Sequence, residues 1–103
     1  MHRGEVWDAD LPQIGFHPVV IVSRETAIPV LRSLVCALVT SSVHGHVAEV
    51  QLNAEEGLDH DCAVNCDNLV TVRKEYFGRH RGALGPARIA QLDTALGVAL
   101  GLR

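Results

Sequence analysis

Three short polar groups in this 103-residue chain sit where apolar runs begin, end or break, and their types could do chemistry. His17 stands directly before Pro18 at the head of a β-branched run, Val19 to Val22. An imidazole titrates near neutrality, so it can take one proton and give another. Thr40, Ser41 and Ser42 close a second apolar run with three hydroxyls. Asn65, Asp67 and Asn68 interrupt a third. Strand ends hold side chains on a rigid frame beside solvent, which is what a site needs. Each group also has a plainer use, because Ser and Thr end strands by bonding turn backbone and Asp and Asn cap turns.

Two further groups invite a ligand. His44 and His46, followed by His60, Cys62 and Cys66, offer imidazole and thiolate donors. A tetrahedral zinc site shows tighter paired knuckles, however. On one strand Cys62 and Cys66 would point the same way yet stand ~13 Å apart, too far to share an ion. Buried free thiols are the expectation, with no metal. The other group is cationic: Arg73, Lys74, Arg79, His80 and Arg81. It is either a solvated face or a local surface for phosphate.

Several classes are excluded. The formal net charge of −3, with 20% charged residues, argues against holding nucleic acid by charge over the whole surface, though a local basic site remains compatible. There is no phosphate-binding loop of the Walker type, no dinucleotide fingerprint and no nucleophile elbow. No apolar stretch approaches the ~20 residues that span a bilayer, so no membrane role is expected. The first residues, MHRGEVWDADL, lack the apolar centre of a signal peptide, and the cysteines number three. Reduced thiols in a cytoplasmic protein are the expectation.

The elements that must position these residues are short. Residues 4–11 predict a strand with Trp7 facing inward beside Ala9 and Leu11. After a turn at 12–15, residues 18–23 are apolar on both faces and predict a central strand. Residues 25–32 connect, with Pro29 and room for one helical turn. Strands are expected at 33–42, 47–52 and 62–72, with an acidic loop at 53–61 between the last two. Residues 73–78 suggest a short helical turn stopped by Gly78, and 79–84 a last strand. From Pro86 the period becomes helical, with Ile89, Leu92, Leu96 and Ala99 as the buried stripe. One domain over 1–103, mainly β with a C-terminal helix (α+β), follows.

The ordered segments RGEVW, HPVVIVS, ALVTSSVHGHVAEVQL, DCAVNCDNLVTV and GALGPARIAQLDTAL resemble the MazF/PemK toxins, over nearly the whole chain from Arg3 to Leu100. The resemblance implies an SH3-like small barrel of the MazF/PemK/CcdB type and a homodimer. It implies cleavage of single-stranded RNA without metal or other cofactor, selective for sequence, and neutralisation by a cognate, MazE-like antitoxin. It places the catalytic threonine or serine at Thr40, with Ser41 beside it, and a contributing aspartate at Asp67. The family's arginine before proline is His17 here, and the arginine that some relatives carry in the later strand is Asn65.

Histidine for arginine changes the chemistry. A guanidinium is a permanent fork for phosphate and transfers protons reluctantly, whereas imidazole can act as acid or base. His17 is therefore the expected acid–base group, with Thr40 donating to phosphate and Arg24, Arg73 or Arg81 supplying the missing cation. His44, His46 and Asn68 complete the residues expected along the RNA. The alternative is a family member that has lost catalysis and acts as an antitoxin- or protein-binding module.

Overall fold

A computed structural model of the chain describes residues 1–102. Six antiparallel strands form one sheet: β1 (Glu5–Leu11), β2 (Gly15–Ile21), β3 (Ser33–Thr40), β4 (Glu49–Leu52), β5 (Cys62–Arg73) and β6 (Phe77–Ala83). Short 3-10 turns at Ala54–Glu56 and Lys74–Tyr76 precede β5 and β6, and α1 (Pro86–Ala99) ends the fold. The strand order is β4-β5-β3-β2-β1-β6, so β2 and β3 are central and β4 and β6 are the edges. Among the described residues no helix is long and apolar enough to cross a membrane.

Both faces of the sheet are covered, and strand alternation sorts the side chains between them. One face packs Val6, Val20, Ala37, Val39, Val50, Val64 and Cys66 under Leu92 and Ala95 of α1. The other gathers Ala9, Leu11, Val19, Ile21, Leu34, Cys36 and Val72 with Ile28 from the 25–32 connection. Trp7 is half-buried on this second face, against Phe77 and stacked on His80 at 4.8 Å. The inward Trp7 is thus borne out in direction, but the fully buried residue of β1's start is Val6, on the helix side.

The helical stripe holds, with Ala95 added to it. Other boundaries move. β3 stops at Thr40 rather than 42, because Ser42 N–H donates to Thr40 Oγ1 at 3.1 Å and turns the chain. β6 starts at Phe77, not 79: Gly78 is no stop but a close approach, since a Cβ there would lie 2.7 Å from Phe16. The acidic 53–61 loop contains a capped turn, with Asn53 and Glu56 bonding each other's backbone. It packs against β6 so tightly that a Cβ on Gly57 (φ +87°) would meet the Arg81 carbonyl at 1.9 Å. This segment, not a strand pair, fills the space between the two sheet edges.

Candidate nucleic-acid interface

His17 lies inside β2, opposite Ala9 of β1. On the β3 side the paired residues are Val19–Leu38, Val20–Ala37 and Ile21–Cys36. Continuing that register by two residues brings His17 level with Thr40. The hydrogen-bonded pairs of this ladder alternate, and Val22 N–H to the Val35 carbonyl (2.9 Å) marks one of them. Two steps on is Val20–Ala37, and two more is Pro18–Val39. Pro18 has no N–H to give Val39. The His17 imidazole fills the vacancy: its Nε2 is 2.7 Å from the Val39 carbonyl oxygen.

That bond decides the tautomer. A carbonyl only accepts, so Nε2 carries the hydrogen, and in the neutral ring Nδ1 keeps a lone pair able to take a proton. His17 therefore has a structural use and retains a basic nitrogen as well. Thr40 Oγ1 spends its acceptor role on Ser42 N–H, which leaves the hydroxyl hydrogen available to an incoming oxygen. Ser41 is exposed beside it.

Alternation puts His17 and Thr40 on the face opposite α1, where two rows run across the sheet. His17 and Thr40 continue to Ala63 and Gln51, and the next row is Val19, Leu38, Asn65 and Glu49. The β3–β5 register slips between Ala37 and Leu38, so Cys66, Asp67 and Asn68 bulge out of the ladder. Asp67 and Asn68 are exposed on that bulge, and Asn65 Oδ1 accepts Asp67 N–H at 3.0 Å. The bulge shows why a strand should be broken by Asn65, Asp67 and Asn68.

The loop after Thr40 carries His44 and His46, both exposed, with their rings parallel within 10° and 6.4 Å apart. Glu49 anchors it, and its carboxylate was not among the residues singled out in the sequence. The strict alternation Glu49, Val50, Gln51, Leu52 signalled a one-sided polar edge. The register that puts this edge one row from Thr40 left no local mark.

The proposed cations are a different matter. Arg73 pairs with Ser33 at the far end of β3, seven residues from Thr40 or ~23 Å along the strand, and is held by Glu75 at 2.7 Å. Arg24 follows the far end of β2, beyond Ile21. Within this chain neither stands near His17. Arg81, its side chain 14% exposed, lies between Asp8 (3.4 Å) and Asp59 (3.3 Å) and donates to the Gly57 carbonyl. Its charge is committed to the loop that fills the gap between the sheet edges. Asp8 stands opposite Pro18, whose side chain points to the other face from His17.

Cys36, Cys62 and Cys66 are buried and unpaired. Burial pushes the Cys36 thiol up to about 12 and Cys66 to about 11. Such thiols are poor nucleophiles and poor ligands at neutral pH. Among the described residues no three His, Cys, Asp or Glu side chains gather as a metal site would require.

Comparison with known proteins identifies the family. The family model described as "PemK-like, MazF-like toxin of type II toxin-antitoxin system" matches residues 2–100. The Mycobacterium tuberculosis protein named "Probable endoribonuclease MazF5" is 36% identical over 99 residues, 95% of this chain and 91% of that protein. "Endoribonuclease MazF3" of the same organism is 35% identical over 85 residues, 82% of each. Among solved structures, "Mycobacterium tuberculosis toxin MazF-mt6" superposes with a TM-score of 0.88 at 32% identity, covering 96% of this chain and 98% of that one. An "Endoribonuclease in complex with its cognate antitoxin from Mycobacterial species" gives 0.91 at 30% identity, covering 100% and 97%. With a family match along nearly its whole length and the corresponding sheet and C-terminal helix, this chain belongs to the PemK-like, MazF-like toxins of type II toxin–antitoxin systems.

Proposed function

We propose that the chain is an endoribonuclease toxin that cuts single-stranded RNA with His17 and Thr40. The observation that carries the reading is the Val39 carbonyl on His17 Nε2, which leaves Nδ1 as the basic nitrogen of a residue whose backbone register runs level with Thr40. In the reaction the RNA 2′-hydroxyl gives its proton to Nδ1 and its oxygen attacks the adjacent phosphorus. Thr40 O–H and the exposed Ser41 donate to the phosphoryl oxygens as charge builds there. The bond to the 5′-oxygen breaks, and that oxygen takes a proton from water. The products are a 2′,3′-cyclic phosphate and a 5′-hydroxyl. Asp67 and Asn68 on the bulge and His44 and His46 on the loop border the RNA and make the cut selective.

The partners follow from the family. A relative with 30% identity is solved with its cognate antitoxin, and we assign this chain the same kind of partner. A second copy is assigned to the exposed apolar residues Leu31, Val35 and Leu100, which line a groove together with Val22 and Leu96. The cytoplasm, where RNA is the substrate, is the assigned compartment.

The test is cleavage of single-stranded RNA in EDTA by the purified protein, with His17→Ala and Thr40→Ala alongside and the ends mapped. Cutting by the wild type that both variants lose is the expected result. Cutting that survives His17→Ala would move the proton transfer to His44 or His46. Tight antitoxin binding without cutting of any RNA would select the binding-module alternative.

A further inference from the structure

Glu49 poses a physical question that the site residues do not answer. Its side chain is only 2% exposed, yet it sits on an edge strand. A buried carboxylate is costly unless its lone pairs are used. Oε1 accepts two successive backbone N–H groups, those of His44 and Gly45, both at 2.9 Å. Gly45 adopts φ +71°, the left-handed conformation that lets neighbouring amides converge on one oxygen. Among the described residues Oε2 has no aligned hydrogen-bond donor, and it faces His46 Nε2 at 3.2 Å. His46 Nδ1 accepts Ala48 N–H at 3.3 Å, so its neutral ring carries the hydrogen on Nε2, the nitrogen nearer the carboxylate. His44 lies parallel to that ring.

We propose that Glu49 is a positioning residue for the RNA-cutting site: it holds the 43–47 loop, and with it the paired His44 and His46 rings, against the sheet end that carries His17 and Thr40. The inference rests on the ribonuclease reading above. Glu49 is in register with Asn65, and Asn65 with Leu38, one row from Thr40. The loop it fixes is the segment that leaves Thr40, so its first residues and its anchor both belong to the same corner of the sheet. Burial pushes the Glu49 carboxyl up, but the two amides and the two imidazoles outweigh it and hold it below its ordinary value. The anion is thereby kept at neutral pH. An anion facing His46 fixes which ring edge the loop shows to RNA, and that changes how substrate is held more than how fast it reacts.

Two variants separate anchoring from charge. Glu49→Gln keeps a side-chain oxygen for the His44 and Gly45 amides but loses the anion facing His46. Glu49→Ala loses both. Three readouts serve: amide exchange at His44 and Gly45, the His46 ring tautomer by nitrogen NMR, and kcat and KM on a single-stranded RNA cut by the wild type. Expected in Glu49→Gln are protected amides, a His46 ring still in the Nε2–H form that the Ala48 N–H sets, and KM raised about tenfold with kcat within about twofold. In Glu49→Ala the two amides exchange freely and KM rises at least as far. Unchanged KM in both variants, or unprotected His44 and Gly45 amides in the wild type, would overturn the inference. A wild type that cuts no RNA while the amide and tautomer results hold would overturn the ribonuclease reading instead.

Discussion

Replacing His17 removes two things at once, a donor for the Val39 carbonyl and a base for the reaction, and Pro18 allows them to be separated. In His17→Ala the carbonyl oxygen of buried Val39 loses its partner at 2.7 Å. A hydrogen bond of this kind is worth ~1 kcal/mol net, so unfolding should come about 4–8 °C lower. In Pro18→Ala the chain regains an N–H at the position that the ladder aims at Val39. That change alone costs ~0.4–1 kcal/mol through a looser unfolded chain, because the imidazole already occupies the acceptor. In the double variant the new N–H takes the vacant carbonyl. The double variant should therefore be more stable than the sum of its parts by ~1 kcal/mol. Cleavage behaves differently, because no backbone N–H replaces a base: His17→Ala and the double variant should both lose about 10²–10⁴ in kcat/KM. Urea unfolding and RNA cleavage on the four proteins provide the cycle. Additive stabilities would refute the claim that the imidazole stands in for the missing proline N–H. Activity recovered in the double variant would show that His17 serves the backbone alone.

Other consequences can be checked singly. Burial raises the Cys36 thiol from its ordinary 9.0 to about 12, so the unfolded chain deprotonates first; stability should be flat below about pH 9 and fall from there towards pH 12, as unfolding followed against pH would show. In the native protein at neutral pH the three thiols should react slowly with a disulfide reagent, and all three quickly once urea unfolds it. Gly57→Ala puts a Cβ 1.9 Å from the Arg81 carbonyl and forces a left-handed residue, so it should destabilise by more than ~2 kcal/mol in denaturant unfolding, whereas Gly85→Ala, with open space around it, should cost under ~1 kcal/mol. Arg81→Met leaves Asp8 without its cation and should cost ~1–2 kcal/mol, while the salt dependence of RNA binding stays as in the wild type, because that charge is already spent on Asp8 and Asp59.

Much of the frame could be read from local pattern. Leu34 to Val39 announce a buried strand, and Pro86 with the Ile89–Leu92–Leu96 spacing announces the closing helix. Local pattern does not say how many faces a sheet buries, which is why Val6 reads as outward although α1 covers it. Gly78 reads as a stop because a glycine that ends an element and a glycine that admits Phe16 are the same letter. The candidate site divides along the same line. His17 and Thr40 stand out by type at strand ends, but only the β2–β3 register brings them level. That register also removes Arg24 and Arg73 to the opposite end of the sheet. Glu49 is the sharpest case: a polar residue on a short strand, it acquires its role only when the loop behind it folds back and points two amides at one oxygen.

The most direct test of His17 Nδ1 as the base is the chemistry of the cut ends. A single-stranded RNA incubated with the wild type in EDTA and analysed by mass spectrometry should yield 2′,3′-cyclic phosphate and 5′-hydroxyl termini, and His17→Ala, shown folded by its unfolding transition, should yield neither above background. The same termini at an undiminished rate from folded His17→Ala would contradict it.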